Sequence, residues 1–285
     1  MPKTETSPDL ETLTKSLVKA NLSEKEIAYL LKQVKRPLPS VKTHDHSIDS
    51  KAMRFMVISD THIGNKEFKP EMLQMAFAYA KRYNPEAIYH AGDILEGMSG
   101  RPGHVYELSQ VGATAQMNYA ASLLETSPVK IYAITGNHDQ WFHIKGDAGL
   151  DIGQSLEDKL GKEKFEYLGM NEADILLTPH IKMKLFHPND GTAYATSYKL
   201  QKLIESFTGG EKPNMVFEGH YHKAMYMFNR NVHGFEAGTL CGQTGWMRGK
   251  KIPAHMGFWM VDVRFSKDGK SITGVSPEFV PYYEK

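Results

Sequence analysis

The sequence VKIYAITGNHD, residues 129–139, decides how the rest of the chain is interpreted. Its first half is a run of β-branched and aromatic residues that is typical of a buried strand. The run ends at Gly136, and an amide, an imidazole and a carboxylate follow directly at Asn137, His138 and Asp139. Such residues also collect in ordinary surface turns. The neighbouring segments must therefore decide whether these side chains form a turn or a functional site.

The same pattern, an apolar run that ends at metal-binding residue types, recurs on both sides of this stretch. Strands are predicted over 54–58, 87–90, 182–186 and 214–217, and helices over 70–83, 105–125, 151–160 and 194–207. The alternation favours a parallel sheet, in which functional groups gather beyond the carboxyl ends of the strands. The residues at those ends are Asp60 and His62, Asp93, Asn137 and His138, His187, and His220 and His222. From residue 224 onward, strands near 224–229, 232–237, 256–264 and 271–280 predict a β-meander.

These strand ends carry the ligand types of a metal centre. Residues i and i+2 of a strand lie on one side, about 6.5 Å apart, so the Asp60/His62 and His220/His222 pairs can each face a common site. A set of carboxylates, imidazoles and one amide suits two divalent ions such as Mn²⁺, Fe²⁺ or Zn²⁺. Asp93, on a glycine turn between the other groups, is the best candidate to bridge the two ions.

In this order, the residues resemble the full motif set of the calcineurin-like metallophosphoesterase superfamily, over residues 54 to 240. The resemblance implies an α/β fold, a four-layer α/β/β/α sandwich with two metals at its mouth. It also implies the site residues. One metal would be held by Asp60, His62, Asp93 and His222, and the other by Asp93, Asn137, His187 and His220. His138 would face the phosphate, with Asp139 orienting it.

The expected activity is hydrolysis of a phosphate ester by a hydroxide that bridges two metal ions. We take Mn²⁺ as the first choice of metal, with Fe²⁺, Zn²⁺, Ni²⁺ and Mg²⁺ as alternatives. The sequence departs from two subfamilies. Protein Ser/Thr phosphatases carry Glu where Asp139 stands, and purple acid phosphatases need a tyrosine where Glu96 stands. The pattern resembles more closely the phosphodiesterase branch, which includes Mre11-like nucleases and cyclic-nucleotide phosphodiesterases.

Two segments are candidates for substrate contacts. Residues 99–104 form a glycine-hinged loop on which Arg101 and His104 could grip a phosphate or a base. Residues 243–251 combine Trp246 and Arg248 with lysines, a mixture that can stack a base and hold backbone phosphates. Ordinary surface loops have similar composition, so both segments have a purely structural alternative.

The N-terminal part, residues 1–50, is predicted to be separate from a catalytic domain over 51–285. A tail is followed by a helical hairpin over residues 9–36 that is rich in lysine, and residues 37–52 are predicted to be a solvated linker. The hairpin could contact DNA or RNA, dock on the main domain, or bind a partner.

The composition limits the remaining choices. The net charge of +1 provides no global attraction to nucleic acid or membranes, so any such binding needs a local basic patch. A single cysteine, Cys241, excludes an intramolecular disulfide and favours a cytoplasmic location. No run of residues is apolar for the ~20 positions of a membrane span. The leading hypothesis is a phosphodiesterase that acts on nucleic acid or nucleotides. A phosphomonoesterase and a nucleic-acid-binding subunit with a vestigial site are the alternatives, and the oligomeric state is open.

Overall fold

The computed structural model describes residues 41–142 and 149–283, so the predicted hairpin lies outside the described residues. The helices are α1 (Pro70–Tyr83), α2 (Ala113–Leu124), α3 (Ile152–Leu160), α4 (Tyr198–Ser206) and α5 (Gly245–Gly249), with 3₁₀ turns at His104–Glu107, Asp139–Phe142 and Gly209–Glu211. The strands are β1 (Thr43–Asp45), β2 (Ala52–Ile58), β3 (Ala87–Ala91), β4 (Ile131–Thr135), β5 (Phe165–Met170), β6 (Glu172–Thr178), β7 (Ile181–Phe186), β8 (Met215–Glu218), β9 (Ala224–Asn229), β10 (Val232–Ala237), β11 (Gly257–Phe265) and β12 (Ile272–Pro281).

These strands form two six-stranded mixed sheets. The strand order is β1-β6-β7-β8-β10-β9 in the first sheet and β12-β11-β2-β3-β4-β5 in the second. Strands β2 to β5 are parallel neighbours in the second sheet, and β7, β8 and β10 are parallel neighbours in the first. Parallel strands bring their carboxyl ends to the same edge, and this edge carries the candidate site.

The two sheets pack face to face through an aromatic core. The ring of Phe55 on β2 contacts Tyr89 in its own sheet and Phe217 across the interface, with centroid distances of 5.5 and 5.9 Å in edge-on geometry. Residues from α1, α2 and α3 form a second buried cluster on the outer face of one sheet, and residues from α4 cover the outer face of the other. The predicted four-layer α/β/β/α sandwich is confirmed.

The predicted helix over 105–125 is too long, because only Ala113–Leu124 is α-helical. The segment before it is bound to a neighbouring loop instead: the Ser109 backbone N–H donates to the Gly64 carbonyl at 2.7 Å. Gly112 then starts the helix with φ of +87°, a conformation that a continuous helix does not allow.

The predicted C-terminal β-meander is also wrong, since its four strands form two hairpins in different sheets. Strands β9 and β10 pair in the first sheet, whereas β11 and β12 pair in the second. Each strand was recognisable from its alternation, but the alternation carries no information about which sheet a hairpin joins.

The described part of the predicted linker belongs to the sandwich. Strand β1 pairs in parallel with β6, with Thr43 opposite Asp174. Two histidines predicted to be solvated have defined contacts: His44 Nε2 donates to the Leu168 carbonyl at 2.8 Å, and His46 Nδ1 lies 3.0 Å from the Tyr89 hydroxyl. A strand of so few residues that pairs with a partner far along the chain leaves no local signal. The division of the chain near residue 50 stays a prediction.

None of the described helices is both long and apolar enough to cross a lipid bilayer.

A pair of buried acids lies just behind the site edge. Glu218 and Glu236 are opposite each other on β8 and β10, and both side chains are almost fully buried. Neither Glu236 carboxylate oxygen has a hydrogen-bond partner among the described residues. Burial raises the pKa of Glu236 to about 8 in spite of the opposing effect of Lys223, and Asp60 raises it further. Burial and the Glu236 charge raise the pKa of Glu218 as well.

We predict that Glu236→Gln stabilises the protein at alkaline pH. The unfolded chain ionises near the ordinary value of 4.5, whereas the folded chain holds the proton to about pH 8, so stability falls as pH rises through this window. The introduced amide adds no charge and can donate to Glu218. Thermal melts should therefore show a rise in Tm of roughly 3 °C or more at pH 8.5 and a smaller one at pH 5. Exposed Glu211→Gln is the control, and an equal shift at both pH values would contradict the prediction.

Candidate metal centre and cavity

Five strands deliver the candidate ligands to one edge of the sandwich. Asp60 and His62 follow β2, Asp93 follows β3, and Asn137 follows β4, all in the second sheet. His187 follows β7 in the first sheet, and His220 and His222 follow β8 there. The site thus lies across the end of the interface between the two sheets, which explains why no single strand contains it.

The first cluster consists of Asp60, His62 and His222, whose ligand atoms lie within 4.8 Å of one another. His222 Nε2 is 3.3 Å from Asp60 Oδ1, and His62 Nε2 is 3.8 Å from the same oxygen. His62 Nε2 is also 3.7 Å from Asp93 Oδ2, so Asp93 borders this cluster.

The second cluster consists of Asp93, His187 and His220. His187 Nε2 lies 3.2 Å from Asp93 Oδ2 and 3.2 Å from Asn137 Oδ1. Its other nitrogen, Nδ1, donates to the Ala91 carbonyl at 2.7 Å, which leaves Nε2 directed at the cluster. Asp93 thus belongs to the second cluster and borders the first, and its role as a bridge between two ions stays a prediction.

The donor set fits a divalent cation in each cluster. His62 Nδ1 donates to Glu96 at 2.8 Å, and its Nε2 lies 3.0 Å from His222 Nε2, so one imidazole donates to the other. In addition, the buried Nδ1 of His222 has no hydrogen-bond partner among the described residues. A cation held by both Nε2 atoms would take the place of the proton that they share without a metal. Nitrogen and carboxylate donors suit Mn²⁺, Fe²⁺ or Zn²⁺ and do not identify one of them.

Charges inside the clusters compensate for burial. Burial alone would raise the pKa of Asp93, but the neighbouring His187 and His138 hold it well below its usual range. Burial likewise acts against a charge on His187, but Asp93 raises the pKa of this imidazole to about 9. The buried carboxylates are therefore ionised at neutral pH, which is the form that binds a metal.

The backbone at the site has an unusual conformation. Five of the seven predicted ligands have left-handed φ angles between 47° and 78°, namely Asp60, His62, Asp93, His220 and His222. Glycines allow close approach between them. A Cβ added at Gly136 would lie 2.3 Å from Asp93 Oδ1 and 2.6 Å from His187 Nε2, and one at Gly219 would lie 2.5 Å from the Ala91 carbonyl.

Both clusters open into a cavity of about 670 Å³. Asp93, Asn137, His220 and His222 contribute to its lining at the metal centre. Its walls include the aromatic side chains of Trp141, Tyr221 and Trp246 together with Arg101. The Arg101 guanidinium lies over the Trp246 ring at 5.6 Å from the centroid. A volume of this size is typical of a site for a small molecule or for part of a larger one.

His138 lines the cavity, but Asp139 does not orient it as predicted. The Asp139 carboxylate is buried and accepts backbone N–H groups from Ile94, Leu95 and Gly136 at 2.8 to 3.0 Å. Burial raises the pKa of this carboxyl to about 7. Asp139 therefore stabilises the turn that begins at Gly136, three residues before it.

His138 is oriented by other groups. Its Nδ1 donates to the Glu96 carbonyl at 2.8 Å, its backbone N–H donates to Asp93 Oδ1 at 2.8 Å, and its ring packs on Trp141 with centroids 3.9 Å apart.

The four predicted substrate contacts divide into two pairs. Arg101 and Trp246 line the cavity, although Arg101 is already paired with Glu107 at 2.7 Å. His104 is buried and hydrogen-bonded to Glu96, so its predicted substrate contact is wrong: the 3₁₀ turn places its ring inside the loop. Arg248 follows Trp246 on α5, but this helix contributes Trp246 and Met247 to the cavity lining.

Sequence reasoning missed Glu96 and Trp141. Glu96 was considered only because it stands where purple acid phosphatases have a tyrosine. Its position three residues after Asp93 could have indicated that it lies near the metal centre. Trp141 lies three residues after His138, and side chains at this spacing contact each other in a helical turn.

The sequence profile of the calcineurin-like phosphoesterase superfamily domain matches residues 53–263. The chain belongs to this superfamily. A curated relative, the DNA polymerase II small subunit of Archaeoglobus fulgidus, is 29% identical over 251 residues, which cover 72% of this chain and 50% of the relative. The chain therefore spans about half the length of that protein.

Solved structures of similar fold are more distant from this phosphoesterase-superfamily chain. A novel archaeal phosphodiesterase is 16% identical and covers 80% of this chain and all of its own, with a TM-score of 0.45. A putative 5'-nucleotidase from Staphylococcus aureus is 13% identical and covers 82% of this chain and 55% of its own, with a TM-score of 0.46.

We predict that Gly136→Ala reduces metal binding, because the added methyl group collides with Asp93 and His187. Isothermal titration with Mn²⁺ should show a loss of affinity of about tenfold or more, comparable to the effect of misplacing a metal ligand. The matched control is Gly210→Ala, where an added Cβ meets no atom within 4 Å and affinity should stay within about twofold of wild type. Unchanged Mn²⁺ affinity in Gly136→Ala would contradict the prediction.

Proposed function

We propose that this protein is a metal-dependent phosphodiesterase that acts on nucleic acid or nucleotides. The observation that carries the proposal is the position of the two ligand clusters: Asp93 belongs to one and borders the other, and both open into one cavity with aromatic and cationic walls. Membership of the calcineurin-like phosphoesterase superfamily supports phosphoester hydrolysis. The restriction to diesters and to nucleic acid is our inference from the residues around the cavity.

Asp60, His62, Asp93 and His222 would hold one ion, and Asp93, Asn137, His187 and His220 the other. When bound, two divalent ions clamp phosphate oxygens and lower the pKa of a water molecule toward neutrality. The chain orients these ligands before an ion binds. His62 and His187 each donate a hydrogen bond from Nδ1 to a protein oxygen, which leaves Nε2 facing the ligand clusters. We take Mn²⁺ as the first metal to test, since the mixture of oxygen and nitrogen donors suits it as well as Fe²⁺ or Zn²⁺.

His138 is the residue best placed to act on the phosphate. A carbonyl can only accept, so the bond to Glu96 fixes a proton on His138 Nδ1 and leaves Nε2 as the second, chemically free ring atom. In the neutral ring this atom accepts a hydrogen bond, and in the cation it donates one. Burial lowers the pKa of His138, so the cationic form depends on a bound phosphate; in that form it would stabilise negative charge on a phosphate oxygen or protonate the leaving oxygen. Packing on Trp141 keeps the ring at the cavity wall.

Trp246 and its neighbours support a nucleic acid substrate. The indole is 45% exposed at the cavity wall, so it offers a surface on which a base can stack. The basic residues Arg248, Lys250 and Lys251 follow directly and are exposed, which suits contacts with backbone phosphates. The lysine-rich N-terminal hairpin lies outside the described residues, so its contact with DNA or RNA stays a prediction. The cytoplasmic location also stays a prediction.

A second candidate function comes from the curated relative. Because that protein is named as a polymerase subunit, this chain could instead be a nucleic-acid-binding subunit of a larger assembly. The two functions differ in whether the metal centre is needed, and they are separated by the same experiment.

We expect the wild-type protein with Mn²⁺ to hydrolyse bis-p-nitrophenyl phosphate faster than p-nitrophenyl phosphate, because a cavity of about 670 Å³ can hold a second ester group. Asp93→Asn keeps the shape but removes the charge shared by both clusters, so it should reduce kcat/KM by at least about a hundredfold. Preference for the monoester would favour a phosphomonoesterase. Absence of metal-dependent hydrolysis from the wild type, with nucleic acid still bound, would favour the subunit hypothesis.

We further expect Trp246→Ala to raise the KM for a single-stranded oligonucleotide by about five- to hundredfold, with little change in kcat, because one stacked base is lost. Trp246→Phe should retain most of the affinity. As a control, Phe228→Ala removes a similarly exposed aromatic ring from β9 and should leave KM unchanged. An unaltered KM in Trp246→Ala would contradict the stacking role.

A further inference from the structure

Glu96 contacts three histidines of the site region. It is buried, with one carboxylate oxygen 2.8 Å from His62 Nδ1 and the other 2.7 Å from His104 Nε2. Its backbone carbonyl accepts from His138 Nδ1 at 2.8 Å. Its own backbone N–H donates to the Ile63 carbonyl at 3.0 Å, which fixes the residue to the segment that follows β2.

The direction of each hydrogen bond follows from the partners. Ser99 donates its backbone N–H to His104 Nδ1 at 3.1 Å, so the His104 proton is on Nε2 and is donated to Glu96. His62 must donate from Nδ1 to the second carboxylate oxygen, which leaves Nε2 for the metal cluster. Each carboxylate oxygen therefore has one imidazole donor, and the position of the proton on both rings is fixed.

The other end of this network is the loop that forms one cavity wall. Ser99, Gly100 and Arg101 line the cavity, and Arg101 reaches the Trp246 ring on the opposite segment. The loop is poorly buried elsewhere, because Val105 and Tyr106 are exposed. His104 is the buried anchor of this loop, so the bond to Glu96 ties the loop to the ligand His62.

We propose that Glu96 is a positioning residue that couples metal binding at His62 to the order of the loop over residues 98–107. Fixing His62 on an ion fixes Glu96, and Glu96 in turn holds His104 and the cavity wall that carries Arg101. The loop should also affect the metal site. Disorder of the loop would remove His104, one of the two imidazoles that hold the Glu96 carboxylate, and so weaken metal binding. The inference rests on the proposed metal site but on no particular substrate.

The test uses the full chain with Mn²⁺ alone as the probe, so it does not depend on catalysis. Isothermal titration gives the affinity, and hydrogen exchange of peptides covering residues 98–107 gives the order of the loop. In the wild type, Mn²⁺ should slow exchange in this loop. Glu96→Gln keeps the side-chain shape but presents an amide N–H₂ to the His104 donor. It should weaken Mn²⁺ binding by about 10- to 100-fold and abolish the slowing at saturating Mn²⁺.

A second variant separates the coupling from a general loss of folding. In His104→Asn, the shorter amide can still accept the Ser99 N–H but cannot reach Glu96, so the loop half of the network is cut while His62 keeps its partner. We expect Mn²⁺ still to bind but no longer to slow exchange in the loop. Tyr106→Phe is the matched control: it removes an exposed hydroxyl in the same loop, outside the Glu96 network, and both affinity and slowing should persist.

Two results would overturn the proposal, and they are distinguishable. If the wild type binds no Mn²⁺, the proposed metal site fails and the coupling fails with it. If the wild type binds Mn²⁺ but Glu96→Gln binds it equally well, or His104→Asn retains the metal-dependent slowing, the metal site stands and only the coupling is wrong.

Discussion

Two buried carboxylates join the ends of the two sheets, and the site depends on them. Asp60 follows β2 in one sheet, accepts the His220 backbone N–H at 3.0 Å and lies beside His222, both of which follow β8 in the other sheet. Asp93 makes the equivalent connection to His187 after β7. Taking ionised carboxylates out of water is costly unless positive charge and hydrogen bonds compensate for it. The imidazoles and the backbone donors supply that compensation, and a bound cation would add to it, so the end of the sandwich is a charged, closely fitted network.

The sequence was sufficient to predict a parallel sheet and the residues at the strand ends, because both follow from local patterns, whereas the four layers came from the resemblance to the family. Apolar runs such as 54–58 are typical of strands. Because the carboxyl ends of parallel strands lie at the same edge of a sheet, motifs that are far apart in the sequence are predicted to lie close together. The metal-ligating residue types at that edge indicated a metal site. The mixed ligand set was thus accessible without coordinates, although the partition between the two clusters came from resemblance to the family.

The contacts that escaped prediction are all non-local or depend on the direction of a side chain. Glu96 and Asp139 are both acids near the motifs, and the sequence cannot tell which one accepts from a histidine and which one braces a turn. The pairing of β1 with β6 and the separation of the last four strands into two sheets are decided by packing of the whole domain. The cavity wall at Arg101 depends on a segment whose course is set by the bonds of Ser109 to Gly64 and of His104 to Glu96.

The left-handed backbone at five predicted ligands restricts which side chains can stand there, and therefore which metals the site can bind. Among residues other than glycine, asparagine, aspartate and histidine adopt this conformation most readily. They are also oxygen and nitrogen donors, so the backbone geometry and the coordination chemistry select the same side chains. Cysteine or glutamate at these positions would meet a conformational penalty before any metal arrived. Evolution of a thiolate site is thereby hindered at the level of the main chain, and a change of metal preference would have to come from groups such as Glu96 that lie behind the ligands.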